Sequence, residues 1–272
     1  MAHDLLRPHL FLSNEDSYRF QSFKKAITNQ ESRVVWCLRG GYGAIRLLPL
    51  IQKMSVPKNP KLLIGYSDVS SLHAVINQKW GWPSLHAPLV DRIGKKTLPA
   101  ENIEELQSCL MKTESTLVFE NLTALNTAAQ KKKNVIAPVV GGNLMVVTST
   151  LGTPYQLQAR DKIIFLEEIS ERAYRIDRCL HQMQQAGVFN QAAAIVFGDF
   201  VNCLEANQKD YLTPTLLSFF KAMKIPVFRG LQVGHGAIQR PLYFNSPTVL
   251  TCGPFAKMVN YSPSYEIHKP RI

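Results

Sequence analysis

Two short apolar runs, each followed by a turn and a helical segment, constrain the fold more than any other feature of this sequence. They lie at residues 34–38 and 62–64. Such runs alternating with helices are typical of a parallel sheet in an α/β protein, with strands buried on both faces. Right-handed crossovers bring the turns after both strands to one edge of the sheet. We therefore expect the turn at 39–43 to lie beside the turn at 65–68.

A second series of strand and helix patterns begins after a polar stretch. Residues 121–134 are polar and end in three consecutive lysines, so we predict a link between two domains there. The predicted N-terminal domain, residues 1–120, is a parallel doubly wound sheet of flavodoxin- or Rossmann-like type. The predicted C-terminal domain, residues 135–272, is an α/β unit with a mixed sheet. Its first predicted strand covers residues 135–140.

The composition is that of a globular protein. Hydrophobic residues make up 46% of the 272 residues, which excludes a disordered chain. The net charge of +11 would attract polyanions, but the basic residues are dispersed and no nucleic-acid-binding motif accompanies them. No apolar run approaches the roughly 18 residues of a transmembrane helix, and no secretory signal opens the chain. We therefore predict neither a nucleic-acid partner nor a membrane partner.

The cysteines favour neither disulfide bonds nor a metal site. Five of them are scattered along the chain, and none belongs to a C-x-x-C pair. The histidines and acidic residues are not grouped at metal-ligand spacing either. We predict a cytoplasmic protein that needs no metal and no cofactor.

Ser67 is the strongest candidate for a reactive residue. It follows a buried strand directly and precedes a predicted helix, so its hydroxyl is exposed at the sheet edge, where backbone N–H groups can bind an oxyanion. This arrangement resembles a nucleophile elbow, although the second glycine of G-x-S-x-G is absent from Gly-Tyr-Ser-Asp-Val. Taken alone, the pattern also fits Ser67 or Asp68 as a simple helix cap.

A histidine and a carboxylate further along the chain suit the same chemistry. His235 stands between two glycines, which leaves its imidazole accessible as a general base. Glu167 follows an apolar run, where a carboxylate reaches the carboxyl edge of a sheet. Glu168 and Glu171 remain alternatives to Glu167, since any of them could instead cap a helix or pair with an arginine. His86 is a weaker candidate for the base.

Five stretches, in order along residues 33–240, match one known family: Arg39-Gly-Gly-Tyr-Gly43, Asn59-Pro-Lys-Leu-Leu-Ile-Gly-Tyr-Ser-Asp68, Gly141-Gly-Asn-Leu144, Phe165-Leu-Glu-Glu-Ile169 and Val233-Gly-His-Gly236. Through these stretches the chain resembles the LD-carboxypeptidases. This serine peptidase family includes muramoyltetrapeptide carboxypeptidases and microcin C self-immunity proteins. Any one stretch alone is a weak signal, whereas the ordered set is specific.

The resemblance implies a catalytic triad and an oxyanion hole. Ser67 would be the nucleophile, His235 the base, and Glu167 the carboxylate that orients the imidazole. Backbone N–H groups of Asp68, Gly40 and Gly41 would form the oxyanion hole, and Tyr42 would bind substrate. In this family the serine lies in one domain and the other two residues lie in the next, which implies a cleft between domains.

The resemblance also implies a substrate. It is a murein tetrapeptide, from which the enzyme releases the terminal D-alanine during wall recycling. A peptide–nucleotide antibiotic, as cleaved by the microcin immunity proteins, is the alternative substrate. Family members usually begin with a βα unit upstream of the matched region, so we expect that unit to be missing here. A truncated, non-catalytic relative is therefore a further alternative. We also predict a homodimer.

Overall fold

The structure is a computed structural model that describes residues 7–112, 114–205 and 207–263. Its α-helices in those ranges are α1 (Asp16–Thr28), α2 (Leu48–Gln52), α3 (Ser70–Val75), α4 (Val90–Gly94), α5 (Ala100–Met111), α6 (Thr127–Gln130), α7 (Leu144–Thr148), α8 (Ala173–Gln185) and α9 (Leu212–Phe220). Its strands are β1 (Val34–Trp36), β2 (Leu62–Gly65), β3 (Ser84–His86), β4 (Thr116–Phe119), β5 (Thr123–Ala124), β6 (Asn134–Ile136), β7 (Val139–Asn143), β8 (Ile163–Ile169), β9 (Ala194–Val201), β10 (Val227–Arg229), β11 (Leu242–Phe244), β12 (Thr248–Thr251) and β13 (Lys257–Tyr261).

The strands form three sheets. The first has the order β1-β2-β3-β11, and its first three strands are parallel. The second has the order β5-β10-β9-β8-β7 and is parallel except for β5. The third, β4-β13-β12-β6, is antiparallel. The α/β class, with a parallel N-terminal sheet and a mixed sheet after it, is confirmed.

Alternating side chains place a shared core between the sheets. On β8, Ile163 and Phe165 enter the core that also receives Leu62 and Ile64 of β2. The intervening side chains of β8 face a second core, which helices α7, α8 and α9 cover. Because neighbouring strand residues point to opposite faces, each of these two sheets has one face on the common core and one under helices.

The predicted two-sided burial is confirmed for β2 and is wrong for β1. All four residues of β2 are buried, whereas the three residues of β1 are only half-buried. The reason is position, because β1 lies at the edge of its sheet and pairs with β2 alone among the described strands. Within the described ranges, no helix has the length and apolar character needed to cross a membrane.

The predicted strand at 135–140 is wrong, because two strands of different sheets occupy that segment. β6 belongs to the third sheet and β7 to the second. Pro138 separates them, and a proline has no N–H to donate to a ladder. The stretch 121–134, predicted as a link, contains β5 and α6. The domain boundaries themselves stay a prediction.

A buried hydroxyl joins the first sheet's helix α3 to the second sheet. Ser70 Oγ accepts a hydrogen bond of 2.9 Å from the backbone N–H of Asn143. Gly142 lies beside it with φ +136°, and a Cβ there would come within 2.3 Å of Ser70 Oγ. Glycine is therefore required at 142, both for its backbone conformation and for the close approach of the two units.

We expect Ser70→Ala to destabilise the protein by about 1–3 kcal/mol, because it leaves the buried N–H of Asn143 without its acceptor. Ser71→Ala is the matched control. Ser71 is 1% exposed and its hydroxyl has no hydrogen-bond partner among the described residues, so its removal should not destabilise the protein. Urea unfolding of both variants measures the difference. Equal losses would show that the Ser70–Asn143 bond contributes nothing.

Candidate active site

Ser67 stands in a strained turn at the carboxyl end of β2. Its φ is +64°, a left-handed conformation that non-glycine residues rarely adopt. A short 3₁₀ turn, Ser67–Val69, then leads directly into α3. Such strain persists only where the surrounding structure imposes it, and it concentrates at functional sites. The side chain is half-buried, so its hydroxyl remains accessible.

The glycine turn after β1 lies against Ser67, as the topology predicts. A Cβ on Gly40 would sit 3.3 Å from Ser67 Cβ and 3.4 Å from Ser67 Oγ. The Asp68 carboxylate accepts a 2.8 Å hydrogen bond from Ala44 N, which ties the two turns together. In the described part of the chain, the N–H groups of Gly40, Gly41 and Asp68 donate to no protein acceptor. They are thus available to a ligand oxygen.

His235 and Glu167 form a close pair on the second sheet. His235 Nδ1 lies 2.6 Å from Glu167 Oε2, and the Glu167 side chain is fully buried. The geometry is that of an imidazole N–H donating to a carboxylate, which leaves Nε2 as the free acceptor. Gly234, with φ +136°, lets the loop approach, because a Cβ there would be 2.9 Å from Glu167 Oε2.

The two halves of the site meet at Tyr66 and His235. Their ring centroids are 4.6 Å apart, and Tyr66 immediately precedes Ser67. No hydrogen bond joins Ser67 Oγ to His235 among the described residues. Catalytic hydrogen bonds are often longer without substrate and shorten when it binds. The predicted roles of Ser67, His235 and Glu167 stay predictions, and the contact of Tyr66 with His235 links the two segments that carry them.

The alternative carboxylates have other partners. Glu168 accepts hydrogen bonds of 2.8 Å from Asn143 Nδ2 and from the backbone N–H of Met145, at the start of α7. Burial raises its pKa. Glu171 pairs with Arg175 at 3.3 Å on the surface of α8. Both therefore serve local structure, as helix cap and ion pair.

Two further histidines lie beneath the cleft. His73 is held by Ser84 Oγ at 2.8 Å and by the carbonyl oxygen of Gly65 at 2.9 Å, and burial lowers its pKa to about 4. His86 is fully buried, and neither ring nitrogen has a hydrogen-bond partner among the described residues. Burial holds its pKa well below the usual value, so it is a neutral ring packed against Phe165 and Phe244.

Unpaired buried polar atoms concentrate around the His235 loop. Such atoms are few in folded proteins, so a cluster of them calls for a physical reason. Within the described residues the cluster comprises Arg92 Nε, Glu167 Oε1, Asp199 Oδ2 and Gln239 Oε1, besides the His86 nitrogens.

Asp199 is a second carboxylate beside the pair, and the sequence argument missed it. It lies on β9, next to β8, and its N–H donates to Val233 O at 3.0 Å. A Cβ on Gly236 would lie 2.5 Å from Asp199 Oδ2, so the carboxylate touches the His235 loop. Burial, together with the nearby negative charge of Glu167, raises its pKa to about 6. Its place near the end of an apolar strand, the same signal that marked Glu167, could have revealed it.

Arg92 and Gln239 were missed for a different reason. Both lie in segments without a recognisable motif, and only the folded chain brings them to the loop. Tyr42 is 52% exposed and packs edge-on against Phe11, with ring centroids 5.3 Å apart. It stands on the rim of the glycine turn, and its substrate-binding role stays a prediction.

Comparison with known proteins identifies the family of this chain. The family models of the LD-carboxypeptidase N-terminal and C-terminal domains match residues 2–87 and 137–250. The chain belongs to the LD-carboxypeptidase family. It is 29% identical to the murein tetrapeptide carboxypeptidase of Pseudomonas aeruginosa over 244 residues, which cover 88% of this chain and 79% of that protein.

Two other relatives mark the range of the family. The crystal structure of muramoyltetrapeptide carboxypeptidase from Oxalobacter formigenes superposes with a TM-score of 0.80 at 25% identity, covering 93% of this chain and 87% of that one. The microcin C7 self-immunity protein of Escherichia coli is 26% identical over 246 residues, which cover 80% of this chain and 70% of that protein. Membership of the family supports a general assignment as a carboxypeptidase. The names of the relatives, however, point to different substrates.

Asp199 generates a prediction about pH and stability. Because its pKa is raised to about 6, the folded state holds this proton more tightly than the unfolded chain does. The free energy of unfolding should therefore fall as the pH rises from about 4 to about 6. Asp199→Asn should lack this decrease, so its stability relative to wild type should rise by about 1 kcal/mol from pH 4 to pH 7, after allowance for solvent screening.

Urea unfolding at a series of pH values measures this change. Asp161→Asn is the control, since it removes an exposed carboxylate far along the chain from β9. A difference between Asp199→Asn and wild type that stays constant across the pH series would contradict the raised pKa.

Proposed function

We propose that this chain is a serine carboxypeptidase that hydrolyses the L,D-amide bond before the terminal D-alanine of a murein tetrapeptide. The observation that carries the proposal is the 2.6 Å His235–Glu167 pair, whose imidazole contacts Tyr66, the residue before the strained, half-buried Ser67. Nucleophile, base and orienting carboxylate are the three parts that acyl transfer needs. The family assignment supports the same reaction.

In the first half of the reaction, Ser67 Oγ attacks the carbonyl carbon of the scissile amide while His235 Nε2 takes its proton. The positive imidazolium is stabilised by Glu167, which remains ionised. The negative oxygen of the tetrahedral intermediate is bound by the unpaired N–H groups of Gly40, Gly41 and Asp68. The C–N bond then breaks, His235 returns the proton to the leaving amine, and D-alanine departs. An ester on Ser67 remains.

In the second half, water attacks the ester carbonyl and His235 takes the proton of that water. The same N–H groups bind the second tetrahedral intermediate. Collapse of this intermediate breaks the ester bond, and His235 returns the proton to Ser67 Oγ. The shortened peptide leaves with a new carboxylate. No metal ion takes part in either half.

A peptide–nucleotide conjugate is the second candidate substrate. Its support is the 26% identity to the microcin C7 self-immunity protein, over 80% of this chain. The proposed chemistry at Ser67 is the same for either substrate, because both reactions cleave a bond to an acyl carbon. The homodimer and the cytoplasmic location predicted from the sequence also remain proposals.

Loss of either proposed catalytic side chain should abolish turnover. We expect Ser67→Ala and His235→Ala each to reduce D-alanine release by on the order of 10³-fold or more, and the double variant to lose little beyond either single one, since the residues act as a unit. Ser71→Ala should keep wild-type turnover, because Ser71 is only 1% exposed and its hydroxyl has no hydrogen-bond partner among the described residues. Strictly additive losses would mean that the two residues do not act together, and inhibition by chelators would mean a different reaction class.

The substrate is tested with two compounds under identical conditions. A murein tetrapeptide should release D-alanine with kcat/KM at least tenfold above that for hydrolysis of an aminoacyl-nucleotide conjugate. The reverse order would assign the chain to the antibiotic-cleaving relatives. Turnover of neither compound would favour the non-catalytic alternative.

A further inference from the structure

Arg92 is a cation beside the His235 loop and forms no ion pair with the described residues. It lies on α4, after β3, and takes part in no ion pair among the described residues. Its Nε is buried and has no hydrogen-bond partner there. A buried guanidinium donor without an acceptor is costly, because guanidinium cannot lose its charge. The guanidinium of Arg92 therefore has unused capacity to bind an anion.

The neighbouring cations differ from Arg92 because they have carboxylate partners. The pairs around the cleft are Arg19–Asp16, Arg46–Asp16, Lys95–Asp91 and Arg240–Glu105. Arg39, which precedes Gly40, is also unpaired in the described structure, but it is exposed. Its charge is therefore solvated and screened by salt, whereas the buried part of Arg92 is not.

Contacts on both sides fix the position of Arg92. The start of its helix is held by hydrogen bonds of 3.2 and 3.0 Å from the N–H groups of Val90 and Asp91 to the carbonyls of Cys37 and Leu38. One guanidinium nitrogen of Arg92 lies 3.5 Å from the carbonyl oxygen of Gly236, the residue after His235.

The pKa of Tyr66 is further evidence that Arg92 lies near the His235 loop. Burial raises the pKa of Tyr66, and the nearby positive charge of Arg92 acts in the opposite direction. Tyr66 in turn contacts the His235 ring, with centroids 4.6 Å apart. Arg92 therefore lies on the His235 side of the cleft, the side on which the leaving amine must receive its proton.

We propose that Arg92 binds the α-carboxylate of the substrate's terminal residue and so restricts cleavage to the last peptide bond. This inference rests on the proposed function. In a terminal residue the carboxylate carbon is only about 2.5 Å from the amine nitrogen, as standard bond lengths require. A guanidinium beside the His235 loop can thus pair with the carboxylate while His235 protonates that nitrogen. Arginine suits this task because its planar fork matches a carboxylate in two parallel hydrogen bonds.

The same contact rejects longer peptides. A substrate that continues beyond this residue presents a neutral amide at the position of the carboxylate. Arg92 would then stay desolvated without a counter-charge, and a site built for a charged partner discriminates strongly against an analogue that lacks it. The inference thus gives a physical basis for a carboxypeptidase rather than an endopeptidase.

The test compares binding of two peptides to catalytically inactive protein. The murein tetrapeptide and its C-terminal carboxamide are titrated by calorimetry onto Ser67→Ala and onto Ser67→Ala combined with Arg92→Met. The free acid should bind Ser67→Ala at least tenfold more tightly than the amide, a difference of about 1.4 kcal/mol. In the Arg92→Met background the two peptides should bind within about twofold of each other. Arg92→Lys should retain part of the preference, since it keeps the charge but loses the fork.

Two controls separate this site from general electrostatics. Lys95→Met removes a cation of the same helix that is already paired with Asp91, and it should leave the preference for the free acid unchanged. Arg39→Met tests the exposed competitor and should also leave it unchanged. Equal binding of both peptides to Ser67→Ala, or a preference that survives Arg92→Met, would overturn the inference. So would a preference that disappears with Arg39→Met.

The outcome for the proposed function is read separately, from D-alanine release by the wild-type protein. Release that depends on Ser67, together with a preference that survives Arg92→Met, would keep the proposed function and remove the carboxylate site. A preference for the free acid that depends on Arg92, in a protein that releases no D-alanine, would keep the carboxylate site and remove the proposed function.

Discussion

Close contact between glycine backbone and neighbouring chain sets the geometry on which the candidate site depends. A Cβ on Gly142 would approach Ser70 Oγ to 2.3 Å, and one on Gly141 would approach the carbonyl oxygen of Phe165 to 1.9 Å. Phe165 lies two residues before Glu167, and Ser70 lies three residues after Ser67. The separation of the Ser67 and Glu167 segments is therefore set by close contacts of backbone, which has no rotamers to change, rather than by long side chains.

The parts of the site that could be predicted from the sequence are those encoded locally. An apolar run that ends in Gly-Tyr-Ser-Asp predicts the turn after β2, and a group of glycines predicts the turn after β1. The topology of parallel strands then suffices to bring these turns together. His235 was recognisable because glycines flank it, and those glycines turn out to be needed where the loop rests on Glu167 and Asp199.

The parts that the sequence did not reveal depend on contacts between distant segments. The choice between Glu167 and Glu168 depends on which side of β8 faces the cleft, and a register irregularity lies at that point of the pairing with β9. The division of 135–140 into two strands depends on Pro138, whose effect is decided by which sheet is available on each side. Arg92 carries no local signal, because its interest lies in having no ion-pair partner among the described residues, and only the folded structure shows this.

Strand β11 closes the first sheet by pairing antiparallel with β3, with Leu242 opposite His86. The residues that complete the sheet bearing Ser67 are therefore synthesised long after β1, β2 and β3. A long contact of this kind must bear the entropy of a large closed loop before it returns any stabilisation. The first sheet therefore cannot be completed before every strand of the second sheet has been synthesised. The serine turn after β2 is thus synthesised early, whereas the loop that carries His235 and the strand that closes the serine's own sheet are synthesised late.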